Sequence, residues 1–190
     1  LIFVFIIQIT SIQAQQKFSK RQIQKIKTAA IDLTQSHHKK TQVMIDKVFS
    51  FAELGHQEYE TSKYLTVILE SAGFEVEYGI SGIPTGWIAR WKFGEGPVIA
   101  LGSDVDGIPK ASQYPGVAYH KPIVEGAPGH GEGHNSGLPV IITSALVIQE
   151  LMKENNIGGT LVVWPGIAEE QLAAKAWFVK DGYFDDVDMC

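Results

Sequence analysis

Pro97-Val98-Ile99-Ala100-Leu101-Gly102-Ser103-Asp104-Val105-Asp106-Gly107-Ile108-Pro109 is the stretch that decides the fold class. Val98 to Leu101 is apolar at every position, as a strand reads when helices cover both faces of its sheet. The run then turns acidic and breaks at Gly107 and Pro109. A buried strand that ends in carboxylates suits an open α/β sheet, whose ligands gather outside the carboxyl ends of the strands. Working outward, 159–164 is a second buried strand and 74–78 alternates strictly, as a half-exposed strand does. Residues 86–93 form a further strand. Gly94-Glu95-Gly96 is short enough to join it to 97–103 in a hairpin-like turn.

The remaining segments carry helical periodicity. Ile23, Ile26, Ala30 and Leu33, then Met44, Val48 and Phe51, recur at three- and four-residue steps, which predicts amphipathic helix across 19–54 with a break near Ser36-His37-His38. Adjacent His37 and His38 do not share a helix face, so they make a poor metal pair. Residues 61–72 form a second helix, with Tyr64, Leu65, Ile68 and Leu69 inward and Gly73 as its stop. Helices follow at 139–153 and 170–180. Strands alternate with helices, so the expected class is α/β, a mainly parallel sheet with flanking helices. A loop of Gly and Pro at 104–135 interrupts the pattern, and loops of that length in a compact domain are usually functional.

Composition narrows the function classes. The chain has 190 residues, 45% hydrophobic and 19% charged, and a formal net charge of −5, which fits one globular domain. No run reaches the roughly 18 apolar residues of a spanning helix, so no membrane span is expected. Residues 17–47 hold eight Lys/Arg against Asp32 and Asp46, whereas 48–190 hold eight against 19 Asp/Glu. An acidic body argues against a nucleic-acid partner, because phosphate binding needs clustered positive charge. One cysteine, Cys190, excludes an internal disulfide framework. Leu1 to Ile9 is nearly all apolar and is followed by Ser11-Ile12-Gln13-Ala14-Gln15, so residues 1–14 read as the remnant of a secretory signal that lacks its charged start, and an exported protein is expected.

Three clusters of ligand-type side chains fall where strands end or a helix begins. Asp104 and Asp106 point the same way if the chain stays extended, although two aspartates before Gly and Pro also suit a turn. In Gly129-His130-Gly131-Glu132-Gly133-His134-Asn135, alternate positions carry His, Glu and His with glycine in the gaps. Imidazole plus carboxylate is a donor set for zinc or another borderline divalent metal. Asn135 or Ser136 could cap the helix that follows. Trp164-Pro165-Gly166-Ile167-Ala168-Glu169-Glu170 ends a strand on two adjacent carboxylates, which diverge so that one can hold a metal while the other takes a proton from activated water. The same pair would also suit a helix dipole. Convergence of the three on one sheet edge favours a single metal site.

These motifs, in this order and spacing, resemble the metal-dependent aminoacylase/carboxypeptidase family of clan MH amidohydrolases, over residues 45–190, and most of all its aminobenzoyl-glutamate hydrolase branch. Phe51-Ala52-Glu53-Leu54-Gly55-His56-Gln57-Glu58 resembles the family's helix-to-loop transition. Ser103–Pro109 resembles its aspartate motif, Gly129–Asn135 its His-x-Cys-Gly-His motif, and Trp164–Glu170 its paired-glutamate motif. The resemblance implies a zinc-exopeptidase-like α/β catalytic domain. It implies Glu132, His134, Glu170 and Asp104 as metal ligands, Glu169 as general base, and Asp106 as the carboxylate that orients a ligand histidine. His130 matches a position beside the metal. Glu132 stands where the family has a ligand cysteine; a carboxylate is harder than thiolate and shifts preference from zinc towards manganese.

By the same resemblance, residues 15–190 would be the N-terminal part of the catalytic domain. A lid and dimerisation domain and two further histidine ligands would lie beyond Cys190. The expectation is an exported metallo-amidohydrolase, a homodimer when full length, with two divalent ions, zinc or manganese. Metal-activated water would cleave an acyl or aroyl amide of an amino acid, or a related dipeptide. The rival expectations are a non-catalytic member that binds metal or peptide, and a structural α/β domain with no site.

Overall fold

The computed structural model describes residues 18–172 and 174–190; the segment read as a secretory signal lies outside the described residues. Its first element is one helix, α1 (Lys20–Phe51), unbroken at Ser36-His37-His38. The expected break is absent because no Gly or Pro interrupts the run; the hydroxyls of Thr34, Ser36 and Thr41 find partners within the helix, on carbonyls three or four residues back. Ser19 caps its start in a reciprocal bond with Gln22. Helix α2 (Tyr59–Ser71) follows, then strands β1 (Glu75–Tyr78), β2 (Trp87–Phe93) and β3 (Val98–Asp104). Helix α3 (His134–Asn155) and strand β4 (Gly159–Gly166) lead to a short 3-10 turn (Glu169–Gln171) and α4 (Lys175–Lys180).

The sheet runs β1-β2-β4-β3. Only β3 and β4 are parallel; β1–β2 and β2–β4 are antiparallel, so the α/β sheet is mixed rather than mainly parallel. The turn at 94–96 does not close a hairpin. It hands the chain across the gap that β4 later fills, where Leu161 pairs with both Trp91 and Ile99. Local turn length could not show this, because the intervening partner arrives some 60 residues later in the chain.

Leu161, Val162 and Val163 are buried on both faces of β4, consistent with its central place. Helix α3 packs on β3 and β4, and α1 packs along α3. By length and mean hydropathy (1.2) α3 could cross a membrane, but Leu138, Ile142, Ala145 and Leu151 lie in the core. On β2, neighbouring residues point to opposite faces. Trp91 meets Phe74 and Lys153 of α3, while Arg90 pairs with Asp186 at 2.9 Å, so the segment after α4 covers the other face. Phe184 stacks edge-on against Trp164 there. At the open side of β3, Met189 forms a parallel bridge with Ile99. Because β3 and β4 run parallel, their carboxyl ends at Asp104 and Gly166 share one edge, beside the start of α3.

Candidate metal centre

His134 is the first residue of α3 and the best-fixed member of the site. Neither Asn135 nor Ser136 caps this helix; the cap position is Gly133, at φ 98°, a left-handed conformation that glycine adopts without cost. That turn brings the imidazole back over the end of β3. His134 Nδ1 lies 3.0 Å from the main-chain carbonyl of Asp106. A carbonyl only accepts, so Nδ1 carries the proton, and in the neutral ring Nε2 keeps its lone pair. Nε2 faces carboxylates: Glu132 Oε2 at 3.7 Å and Glu169 Oε2 at 3.8 Å.

Glu132, His134, Glu169 and Glu170 each place one ligand atom within 4.8 Å of the others. Glu169 and Glu170 were expected to diverge, and instead both reach this cluster. Their 3-10 turn is entered and left through left-handed residues, Ala168 (φ 52°) and Leu172 (φ 54°), which folds the two side chains together. Asp106 fixes the turn from below: its buried carboxylate accepts the Glu170 N–H at 3.0 Å. Its other oxygen lies 3.3 Å from His134 Nδ1 and has no aligned hydrogen bond. Asp106 thus touches both a histidine and a glutamate of the cluster.

The electrostatics are one-sided. Among the described residues, no Lys or Arg ion pair reaches Glu132, Glu169 or Glu170. Partial desolvation, and then the adjacent Glu132 carboxylate, push Glu170 above the usual carboxylate range. Two other expected neighbours turn elsewhere. Asp104, expected among the metal ligands, lies outside the cluster and forms an ion pair with Lys175 of α4 at 2.7 Å, without hydrogen-bond alignment. The physical reason is that the strand ends between them: Asp104, the last residue of β3, leans over Gly166 of β4, whereas Asp106 lies beyond the strand and no longer follows its alternation. His130 does not share the direction of Glu132 and His134 either. Its Nε2 meets the Val48 carbonyl at 3.1 Å, its ring lies near Phe49, and burial holds its pKa below the ordinary histidine value.

No family model matches the chain. A p-aminobenzoyl-glutamate hydrolase subunit of Escherichia coli (strain K12) is 34% identical over 144 residues, covering 75% of this chain and 30% of that protein. IAA-amino acid hydrolase ILR1-like 2 of Arabidopsis thaliana is 30% identical over 143 residues, 75% of this chain and 31% of that protein. A dinuclear metal binding peptidase of the M20 family from Bacillus subtilis superposes with a TM-score of 0.67 at 26% identity, over 80% of this chain and 41% of that one. The chain matches a part of the M20 family, to judge by its sequence relatives and structural neighbours together. It spans about a third of the length of the curated relatives it matches.

The donor set of this M20 chain fits a divalent cation. Three carboxylates converging on one imidazole lone pair repel each other unless a cation lies between them. The 3.7 Å separation of Glu132 Oε2 from Nε2 exceeds a hydrogen bond, yet it suits two ligands of one ion, whose bonds are about 2.0–2.2 Å. Glu132, His134 and Glu170 are the residues that would hold it, and Glu169 stands beside them within the same 4.8 Å cluster.

Sequence reasoning about the M20 chain missed two groups at this edge. Lys175 was only one more position in an expected helix at 170–180, which in fact splits into the 3-10 turn and α4. Glu58 lies inside a quoted motif but carried no role, and it is fully buried. The spacing of Glu53 and Glu58 just before an apolar helix was the available signal for it.

Proposed function

We propose that the whole protein is a metal-dependent amidohydrolase that cleaves the amide between an acyl or aroyl group and an amino acid, with aminobenzoyl-glutamate or an N-acyl amino acid as the substrate type. The observation that carries this reading is the convergence of Glu132, His134, Glu169 and Glu170 within 4.8 Å of one another, with the His134 Nε2 lone pair facing the carboxylates. A divalent cation held there supplies Lewis acidity, lowering the pKa of water and polarising the scissile carbonyl. The chain's own residues do the rest. His134, oriented by the Asp106 carbonyl, contributes a fixed neutral nitrogen. Glu169, with a side chain 31% exposed, can still reach substrate and accept a proton from the attacking water, then deliver it to the leaving amine. Asp106 keeps Glu170 in place through its N–H.

The names of the two curated relatives, an aminobenzoyl-glutamate hydrolase subunit and an amino acid conjugate hydrolase, support the amide of an amino acid as the substrate type. Glu132 in place of a thiolate favours manganese over zinc, and two ions are proposed, as in the dinuclear M20 peptidase. Export and homodimer formation belong to the same proposal. The test is hydrolysis of p-aminobenzoyl-glutamate and a panel of N-acyl amino acids by the full-length protein, with manganese, with zinc and after chelation. Chelator-sensitive release of free amino acid is expected. Tight metal uptake with no turnover on any substrate would support a non-catalytic metal-binding member instead.

A further inference from the structure

Glu58 is a buried carboxylate that the proposed chemistry does not use. It stands at the N-cap position of α2 yet makes no cap bond to that helix. Glu53 does that work, its two oxygens accepting the N–H groups of Glu60 and Thr61, each at 2.9 Å. Glu58 turns the other way. Its side chain is fully buried; Oε1 accepts the Ala168 N–H at 2.9 Å and Oε2 accepts the Thr85 hydroxyl at 2.8 Å.

Ala168 is the hinge of the metal-facing turn. It is fully buried and left-handed, and the two residues that follow it are Glu169 and Glu170. A non-glycine residue in that conformation is held there by its surroundings. Two further contacts from the same loop meet the same turn. The Gln171 side-chain amide donates to the Gly55 carbonyl at 3.3 Å, and a Cβ on Gly55 would come within 2.9 Å of Ala168 Cα. The loop also grips the aspartate motif, where Gly107 N–H donates to the Glu53 carbonyl at 2.7 Å. Residues 53–58 therefore touch both the Asp106–Gly107 turn and the Ala168–Gln171 turn.

We infer that Glu58 is a positioning residue for the metal centre: its hydrogen bond to Ala168 holds the strained turn that makes Glu169 and Glu170 face His134. The inference rests on the metal-site reading above. It is tested in the full-length protein by titrating Mn²⁺ and, separately, following the thermal midpoint of the metal-free form. Glu58→Ala is expected to weaken Mn²⁺ binding about 10- to 100-fold, the range for groups that orient ligands. Glu58→Gln recovers most of that loss, since its Oε1 can accept from Ala168 while its amide donates to a rotated Thr85 hydroxyl. Thr85→Val removes the other partner and lowers the metal-free midpoint without moving the affinity. Should Glu58→Ala not fold, Glu58→Asp, one methylene short of Ala168, reads the same loss. Wild-type affinity in Glu58→Ala or Glu58→Asp overturns the inference alone, and so does an equal affinity loss in Thr85→Val. A wild-type protein that takes up no metal overturns the site reading, and this inference with it.

Discussion

Two acidic groups occupy the carboxyl edge of the same pair of strands, and they are built on opposite principles. At the end of β3, Asp104 has its own cation: the Lys175 ammonium 2.7 Å away, both partly exposed. At the start of α3 and in the turn after β4, Glu132, Glu169 and Glu170 converge on the Nε2 side of His134 with no Lys or Arg ion pair among the described residues. The first group is electrically closed and the second is open. Closed pairs serve the fold, while convergent carboxylates left unbalanced call for a cation from solution. Acidity alone does not mark a metal site; an unmet charge does.

The largest effect that could break this contrast is catalytic. Glu169→Gln in the full-length protein is expected to lower turnover by about 10²- to 10⁴-fold, the usual contribution of a general base, with metal content retained. Loss of metal together with turnover would make Glu169 a ligand rather than a base. Next comes metal-linked stability. Divalent metal at a hundredfold excess over its Kd should raise unfolding free energy by about 2.7 kcal/mol in chemical denaturation. His134→Ala should abolish that gain, and Asp104→Asn should keep it; an Asp104 variant that also loses it would return Asp104 to the ligand set.

A third effect concerns the loop that holds the open site. Gly55→Ala places a Cβ 2.7 Å from Gln171 Nε2 and 2.9 Å from Ala168, so a loss of about 1–3 kcal/mol is expected in metal-free denaturation. Unchanged stability would show that the loop yields easily. The smallest effect belongs to the closed pair. A double-mutant cycle with Asp104→Asn and Lys175→Met should give a coupling of no more than about 1 kcal/mol, since solvent screens partly exposed ion pairs. A much larger coupling would mean that the pair has a role beyond the fold.

Much of the fold was legible in the chain. Apolar runs such as Val98–Leu101 and Leu161–Val163 announced buried strands, because burial on both faces demands apolar side chains at successive positions. Helix periodicity located α2 and α3 within a few residues. The unbroken course of α1 was less legible, since Ser36-His37-His38 is polar on the surface of a helix without being a break. The hairpin expected at Gly94-Glu95-Gly96 failed for a different reason: turn length carries no information about a strand inserted later. At the site, Glu132, His134 and the paired glutamates, all visible as motif residues in the chain, lie together, whereas His130 of the same glycine-spaced run turns to the Val48 carbonyl. That Glu169 and Glu170 would share a direction was not legible, because it depends on the left-handed Ala168 that Glu58 holds from 110 positions away.

Residue order alone settles the inventory: which segments bury apolar faces, which residues have metal-binding atoms, and that the strands ending at Asp104 and Gly166 have acidic groups close behind them. These are properties of local pattern and residue chemistry, and they survive any arrangement of the elements. The partners were settled by packing. It placed β4 between β2 and β3, gave Asp104 to Lys175, and set Glu169 beside Glu170 around His134. Pairing is a long-range matter, fixed when packing brings distant segments within a few ångströms, and charge balance at a site exists only once those neighbours are in place.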